Sequence, residues 1–160
     1  MAVGTVSGVN LDEQWQLIAT NTPSAASSSA FSSLSGYKKF WLVYKSVSSS
    51  ITGQLAIRFN GDSTTGNYAG TAYWYSTYVE AENTMVKLTA IGTTGACGGS
   101  VIIDNSLPAV HKVTADASLY VQNSTAIWMP STPSDITSIS FFPSNGGTIS
   151  GTIYLYGIAA

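Results

Sequence analysis

Hydrophobic and polar residues alternate along this chain with a period of two, and short punctuated breaks separate the alternating runs. Trp15, Leu17 and Ala19 alternate with Gln14, Gln16 and Thr20, with Ile18 the one apolar residue on the second face, which predicts a half-buried strand. The stretch TNTPSAASSSAFSSLSG reads as a loop leading into a short strand near Phe31 and Leu34 and ending at Gly36. From Tyr37 to Val47 one face carries Phe40, Leu42 and Tyr44 and the other Trp41, Val43 and Lys45, so the expectation is a central strand with both faces largely covered. Further strands are predicted over 54–59, 68–79, 85–91, 100–104, 110–115, 119–128, 136–142 and 152–158, with breaks at NGDSTTGN, GTTGACGG, DNSLP, MPSTPSD and PSNGG.

Nine or ten short strands separated by Gly, Pro, Asn and Ser clusters predict an all-β, single-domain antiparallel sandwich, jelly-roll-like or barrel-like. No stretch has a 3.6-residue period. Residues 1–13 are small and uncharged until Asp12, which suggests a flexible arm ahead of a β-sandwich domain over 14–160.

Composition sharpens this picture. The 24 Ser and 18 Thr carry the polar duty that charged side chains usually carry, since only 9% of residues are charged. Six Lys plus Arg against eight Asp plus Glu give a net charge of -2, with no basic stripe to grip a phosphate backbone, so no nucleic-acid partner is expected. No apolar run approaches the roughly 18 residues that span a bilayer, and residues 1–10 have neither the basic nor the apolar region of a secretory signal. Neither a membrane partner nor a cofactor is expected. Cys97 stands alone, without the Cys and His spacing that holds zinc.

Several local patterns are candidates for chemistry. Asn60-Gly61-Asp62 with Gly66-Asn67 gathers oxygen ligands, but the twelfth position counted from Asn60 or Asp62 is Thr71 or Tyr73 where an EF-hand needs Glu. A structural turn is the favoured reading, and no metal site is expected. Tyr73, Trp74, Tyr75 and Tyr78 lie on the predicted 68–79 strand, with Tyr73 and Tyr75 on one face and Trp74 and Tyr78 on the other. One set suits core or interface packing, the other a stacking platform for sugar rings. His111 has no nucleophile elbow to serve, so a structural role is expected and no catalytic residue is nominated. Glu80 and Glu82, the one close acidic pair, read as a solvent rim, and Asn123-Ser124-Thr125 is a formal sequon without a secretion signal.

Three motifs carry a resemblance. Arg58-Phe59-Asn60-Gly61-Asp62 followed by Asn67-Tyr68, the central Ile102-Ile103-Asp104-Asn105, and the terminal Ile153-Tyr154-Leu155-Tyr156-Gly157-Ile158 together resemble a group of tailed-bacteriophage structural proteins, from about Trp15 to Ile158. The resemblance implies a jelly-roll-type sandwich on the virion. It would be made in the host bacterial cytoplasm and carried on the capsid surface as a decoration (cement) protein. There it would bind the major capsid protein as a homo-oligomer, a trimer on the threefold positions such proteins often occupy, and stabilise the shell by bridging capsid subunits. The alternative is a tail- or fibre-associated receptor- or carbohydrate-binding module. The resemblance brings no catalytic or binding residues with it, and its motifs look architectural.

Overall fold

A computed structural model describes residues 14–74, 77–80, 84–93, 95–117 and 122–160, with 72–74, 77–80 and 122 described by their backbone alone. The strands among them are β1 (Gln16–Asn21), β2 (Ser29–Phe31), β3 (Tyr37–Ser49), β4 (Gly53–Phe59), β5 (Tyr68–Trp74), β6 (Thr77–Glu80), β7 (Val86–Ile91), β8 (Cys97–Asp104), β9 (His111–Ala117), β10 (Gln122–Trp128), β11 (Ile139–Pro143) and β12 (Ile149–Ala159). They form an eight-stranded sheet in the order β1-β12-β3-β8-β9-β10-β5-β6 and a four-stranded sheet in the order β2-β11-β4-β7. All the pairings are antiparallel, and no helix occurs among the described residues. The expected all-β sandwich is therefore the architecture. The predicted arm, 1–13, lies outside the described residues.

The topology is a rolled ribbon. β3 pairs with β12, β4 with β11 and β5 with β10, so the arm running forward from Tyr37 and the arm running back to Ala159 stay antiparallel as both pass from the large sheet to the small one and return. This nesting is jelly-roll-like. The chain between the arms supplies β7 to the edge of the small sheet and inserts β8 and β9 between β3 and β10.

Period-two alternation decides what is buried. Phe40, Leu42 and Tyr44 of β3, Val101 and Ile103 of β8, Val113 and Ala115 of β9, and Ile153 and Leu155 of β12 face inward and are buried. They meet Leu55, Ile57 and Phe59 of β4, Val86 and Leu88 of β7, and Ile139 and Phe141 of β11 in one core. An aromatic side chain buries about 150–250 Å² and gains roughly 25 cal/mol per Å², so Phe59, Tyr68 and Trp128, packed together at 5.4–6.3 Å, form a heavy anchor.

Two expectations need correction. β3 is central, but only its inner face is covered, because no layer lies over the outer face of the large sheet among the described residues. Trp41 and Val43 are half-buried there and Lys45 is exposed. The predicted 68–79 strand is two antiparallel strands, in which Tyr73 pairs with Tyr78 and Trp74 with Thr77.

Candidate functional site

The sequence motifs resolve into a brace between the two sheets. At the end of β4, Asn60 (φ 51°) and Gly61 (φ 68°) occupy the left-handed region while the Asp62 N–H donates to Phe59 O at 2.8 Å, the geometry of a type I′ turn that Asn-Gly favours. Asn60 Oδ1 accepts from the N–H groups of Thr137 and Ser138 at 2.8 and 3.0 Å, pinning the segment before β11. Asp62 accepts from Trp128 Nε1 at 2.7 Å, Asn67 Nδ2 at 2.8 Å and Thr64 N at 2.9 Å. Burial alone would raise the Asp62 carboxyl, but these bonds outweigh it and hold it at about 2. Three protein donors thus converge on this carboxylate and tie the turn to β5 and β10. The Tyr68 hydroxyl accepts from Phe59 N and donates to Asp62 O, each at 3.0 Å. Asn105 of the second motif accepts from Ile136 N at 2.9 Å and donates to Tyr37 O at 2.8 Å.

His111 is fully buried, 4.9 Å from the Trp128 ring in a stacked arrangement, with Nε2 3.0 Å from Ser134 O. The carbonyl can only accept, so Nε2 carries the proton and donates. Burial pushes the imidazole pKa below its ordinary value although the Ser134 bond resists, so the folded state holds the neutral ring. The unfolded chain then binds more protons, and stability is full above about pH 6.5 and falls as the pH drops from there toward the lowered folded pKa. Urea-unfolding midpoints at pH 7.5 and 5.5 should differ in that sense, and His111→Gln should remove this component.

The candidate aromatic residues of the sequence are Tyr73, Trp74, Tyr75 and Tyr78. Tyr75 lies outside the described residues, and Tyr73, Trp74 and Tyr78 are placed only by register in the β5–β6 pair. Glu82 is likewise outside, while Glu80 pairs with Thr71.

The outer face of the large sheet has instead the features of a recognition surface. One registered row crosses the strands as Leu17, Tyr156, Trp41, Ile102, Thr114, Thr125 and Thr71. At roughly 4.8 Å per strand, the row is about 29 Å long. Its first half is aromatic and aliphatic and its second half is threonine. Trp15 joins the apolar half, with its ring 5.9 Å from that of Trp41, which is in turn 5.2 Å from Tyr156. Leu17 and Ile102 are 56% and 49% exposed, unusual for large apolar side chains on a sheet that has a covered face to place them on. Lys39 and Lys45 share the outer side of β3 with Trp41, and Lys45 Nζ sits 5.4 Å from the centroid of Tyr154. Beside this surface opens a cleft of about 360 Å³ lined by Lys38, Lys39, Ser106 and Ile158. The alternation Lys39, Trp41, Val43, Lys45 and the paired Tyr154 and Tyr156 were visible in the sequence, but which face of each strand is uncovered depends on the layering of the sheets.

No family model matches the chain, and no curated protein does. Among solved structures, a crystal structure of exo-inulinase from Aspergillus awamori aligns at 15% identity and a TM-score of 0.44, over 91% of this chain and 30% of the inulinase. The Ruminococcus gnavus IT-sialidase CBM40 aligns at 9% identity and a TM-score of 0.35, over 91% of this chain and 95% of that one. The same module bound to alpha2,6 sialyllactose aligns at 8% and 0.32.

Proposed function

We propose that the protein is a non-catalytic module of a phage virion surface that binds carbohydrate on the aromatic half of the outer face of its eight-stranded sheet. The observation that carries this reading is the Trp15, Trp41 and Tyr156 cluster on a sheet face that no other layer covers among the described residues, with Tyr156 and Trp41 in register with Leu17 and Ile102. Sugar rings offer a flat face of C–H groups that is desolvated well by an aromatic surface, while their hydroxyls need donors and acceptors beside it. Ser100 of β8, and Thr114 and Thr125 further along, supply these from strands whose backbone is already fixed, so little ordering cost opposes binding. The virion setting rests on the motif resemblance. Asn60, Asp62 and Asn105 of those motifs brace the fold, while Ile102 and Tyr156 of the same motifs lie in the exposed row.

A second reading, a capsid decoration protein that binds the major capsid protein as a trimer, is favoured by the length of the registered row and by its lack of charge, since interface cores are rich in aromatic residues and poor in Lys and Glu. The ligand that depends on this face separates the two. Trp41→Ala, with Trp15→Ala as the edge-located second variant, should weaken binding to host-envelope glycans on an array by at least about tenfold, the loss typical of a central aromatic contact. An array that retains no glycan, together with Trp41-dependent binding to undecorated heads, would overturn the carbohydrate reading in favour of decoration.

A further inference from the structure

We infer that the saccharide is acidic: a polysaccharide extended along β3, with one sugar ring on Trp41 and its carboxylate in the cleft of Lys38, Lys39, Ser106 and Ile158. This rests on the carbohydrate reading above and adds the ligand's charge and direction to it.

Charge complementarity is the first support. The chain is acidic, with a net charge of -2 and only six cationic side chains. Three of those six, Lys38, Lys39 and Lys112, gather at one end of the large sheet. Lys38 and Lys39 line the 360 Å³ cleft, and Lys112 lines a second opening of about 230 Å³ that shares Ser106 with it. Asp104, in register between Lys39 and Lys112, lines the second opening. It accepts from Ser106 N at 2.9 Å, and among the described residues that line the two openings one acid stands with three lysines. The other acids placed on this face stand away from the cleft. Asp116 pairs with Ser100, in the row of Val43, and Glu80 pairs with Thr71 at the far side of the sheet.

Geometry is the second support. Lys39 and Trp41 are two residues apart on the same side of β3, so their backbones are separated by about 6.7 Å along the strand. Half-buried Lys38 and Lys39 also hold their stems against the protein, which limits the side-chain entropy lost on binding. Lys45 lies six residues beyond Lys39 on the same side, about 20 Å along the strand, with the Tyr154 ring beside it. A chain of several sugars laid along β3 therefore meets a cation at each end and aromatic rings between them. An acidic peptide would satisfy the lysines but has no ring of C–H groups for Trp41.

The test is calorimetric titration of the full chain with three probes: polygalacturonate, the same polymer fully methyl-esterified, and poly-L-glutamate. Polygalacturonate should bind. The ester should bind at least about tenfold more weakly, poly-L-glutamate more weakly still, and raising the salt from 50 to 500 mM should erode the polygalacturonate signal as surface charges are screened. Lys39→Gln, checked for an unchanged melting temperature, should weaken polygalacturonate by about fivefold and weaken the ester by a smaller factor. Equal binding of polymer and ester would overturn the acidic assignment and leave the carbohydrate reading standing. Poly-L-glutamate binding as tightly as polygalacturonate would overturn it in favour of an acidic protein partner. Binding of neither saccharide form, with an empty glycan array, would remove both readings.

Discussion

Asp62→Ala is expected to destabilise the protein by about 3–4 kcal/mol, a fall in melting temperature of roughly 10 °C for a chain of this size. The carboxylate is the common acceptor of three donors on different parts of the fold: Thr64 in its own loop, Asn67 at the entry to β5, and the indole of Trp128 at the end of β10. Bonds to an ionised acceptor contribute more than neutral ones, and removing the acceptor leaves the Trp128 N–H without a partner beside a fully buried ring. Asp62→Asn keeps the shape but not the charge, and should cost less, about 1–2 kcal/mol. Trp128→Phe deletes the same bond from the other side, so the double variant should be milder than the sum of the singles by about 1–2 kcal/mol. Urea unfolding followed by tryptophan fluorescence would measure all of these, and a loss below about 1 kcal/mol for Asp62→Ala would mean that the brace is not what holds β4 to β10. The acid limb offers a second readout. The Asp62 pKa is held at about 2 against an ordinary 3.8, so its stabilising contribution is present above 3.8 and is lost as the pH falls through about 2, a step that Asp62→Ala should lack.

That brace was legible in the sequence as a turn, because Asn-Gly followed by Asp carries its own backbone chemistry. What it ties together was not. Trp128 is 66 residues from Asp62, and nothing local to either residue announces the bond. The same boundary separates the parts of the fold that sequence yields from those it withholds. Period two identifies β3 and assigns Phe40, Leu42 and Tyr44 to one side and Trp41 and Val43 to the other, yet both sides are apolar, and which one meets the second sheet is fixed by long-range pairing. The aromatic cluster shows this most clearly, since Trp15 and Tyr156 come from opposite ends of the chain and meet across Trp41 only because β1, β12 and β3 are neighbours. The predicted 68–79 strand failed for the reverse reason: it is two paired strands, β5 and β6, and no Gly or Pro marks the boundary between them.

Gly99→Ala is the other change with a large expected effect, about 3 kcal/mol of destabilisation, and the cause is room rather than backbone conformation. Gly99 lies on β8 opposite Tyr44 of β3 and Ala117 of β9. A Cβ placed there would fall inside contact distance of the Tyr44 hydroxyl and of the Asp116 carbonyl oxygen. The tyrosine ring end is one obstacle that can be removed: the Tyr44 hydroxyl is buried without a hydrogen-bond partner, and burial raises its pKa well above the ordinary phenol value, so Tyr44→Phe alone should be neutral or slightly stabilising. The carbonyl belongs to the backbone of the next strand, and moving it means prising β9 from β8. Tyr44→Phe should therefore recover only part of the Gly99→Ala loss, and the remainder measures how tightly the middle of the large sheet must close. The same closure brings Ile102 of β8 beside Trp41 on the outer face, so Gly99→Ala should also weaken the proposed saccharide binding at a face its own side chain never touches. A variant within about 0.5 kcal/mol of the parent, with unchanged binding, would show that the strands can separate there without disturbing the row.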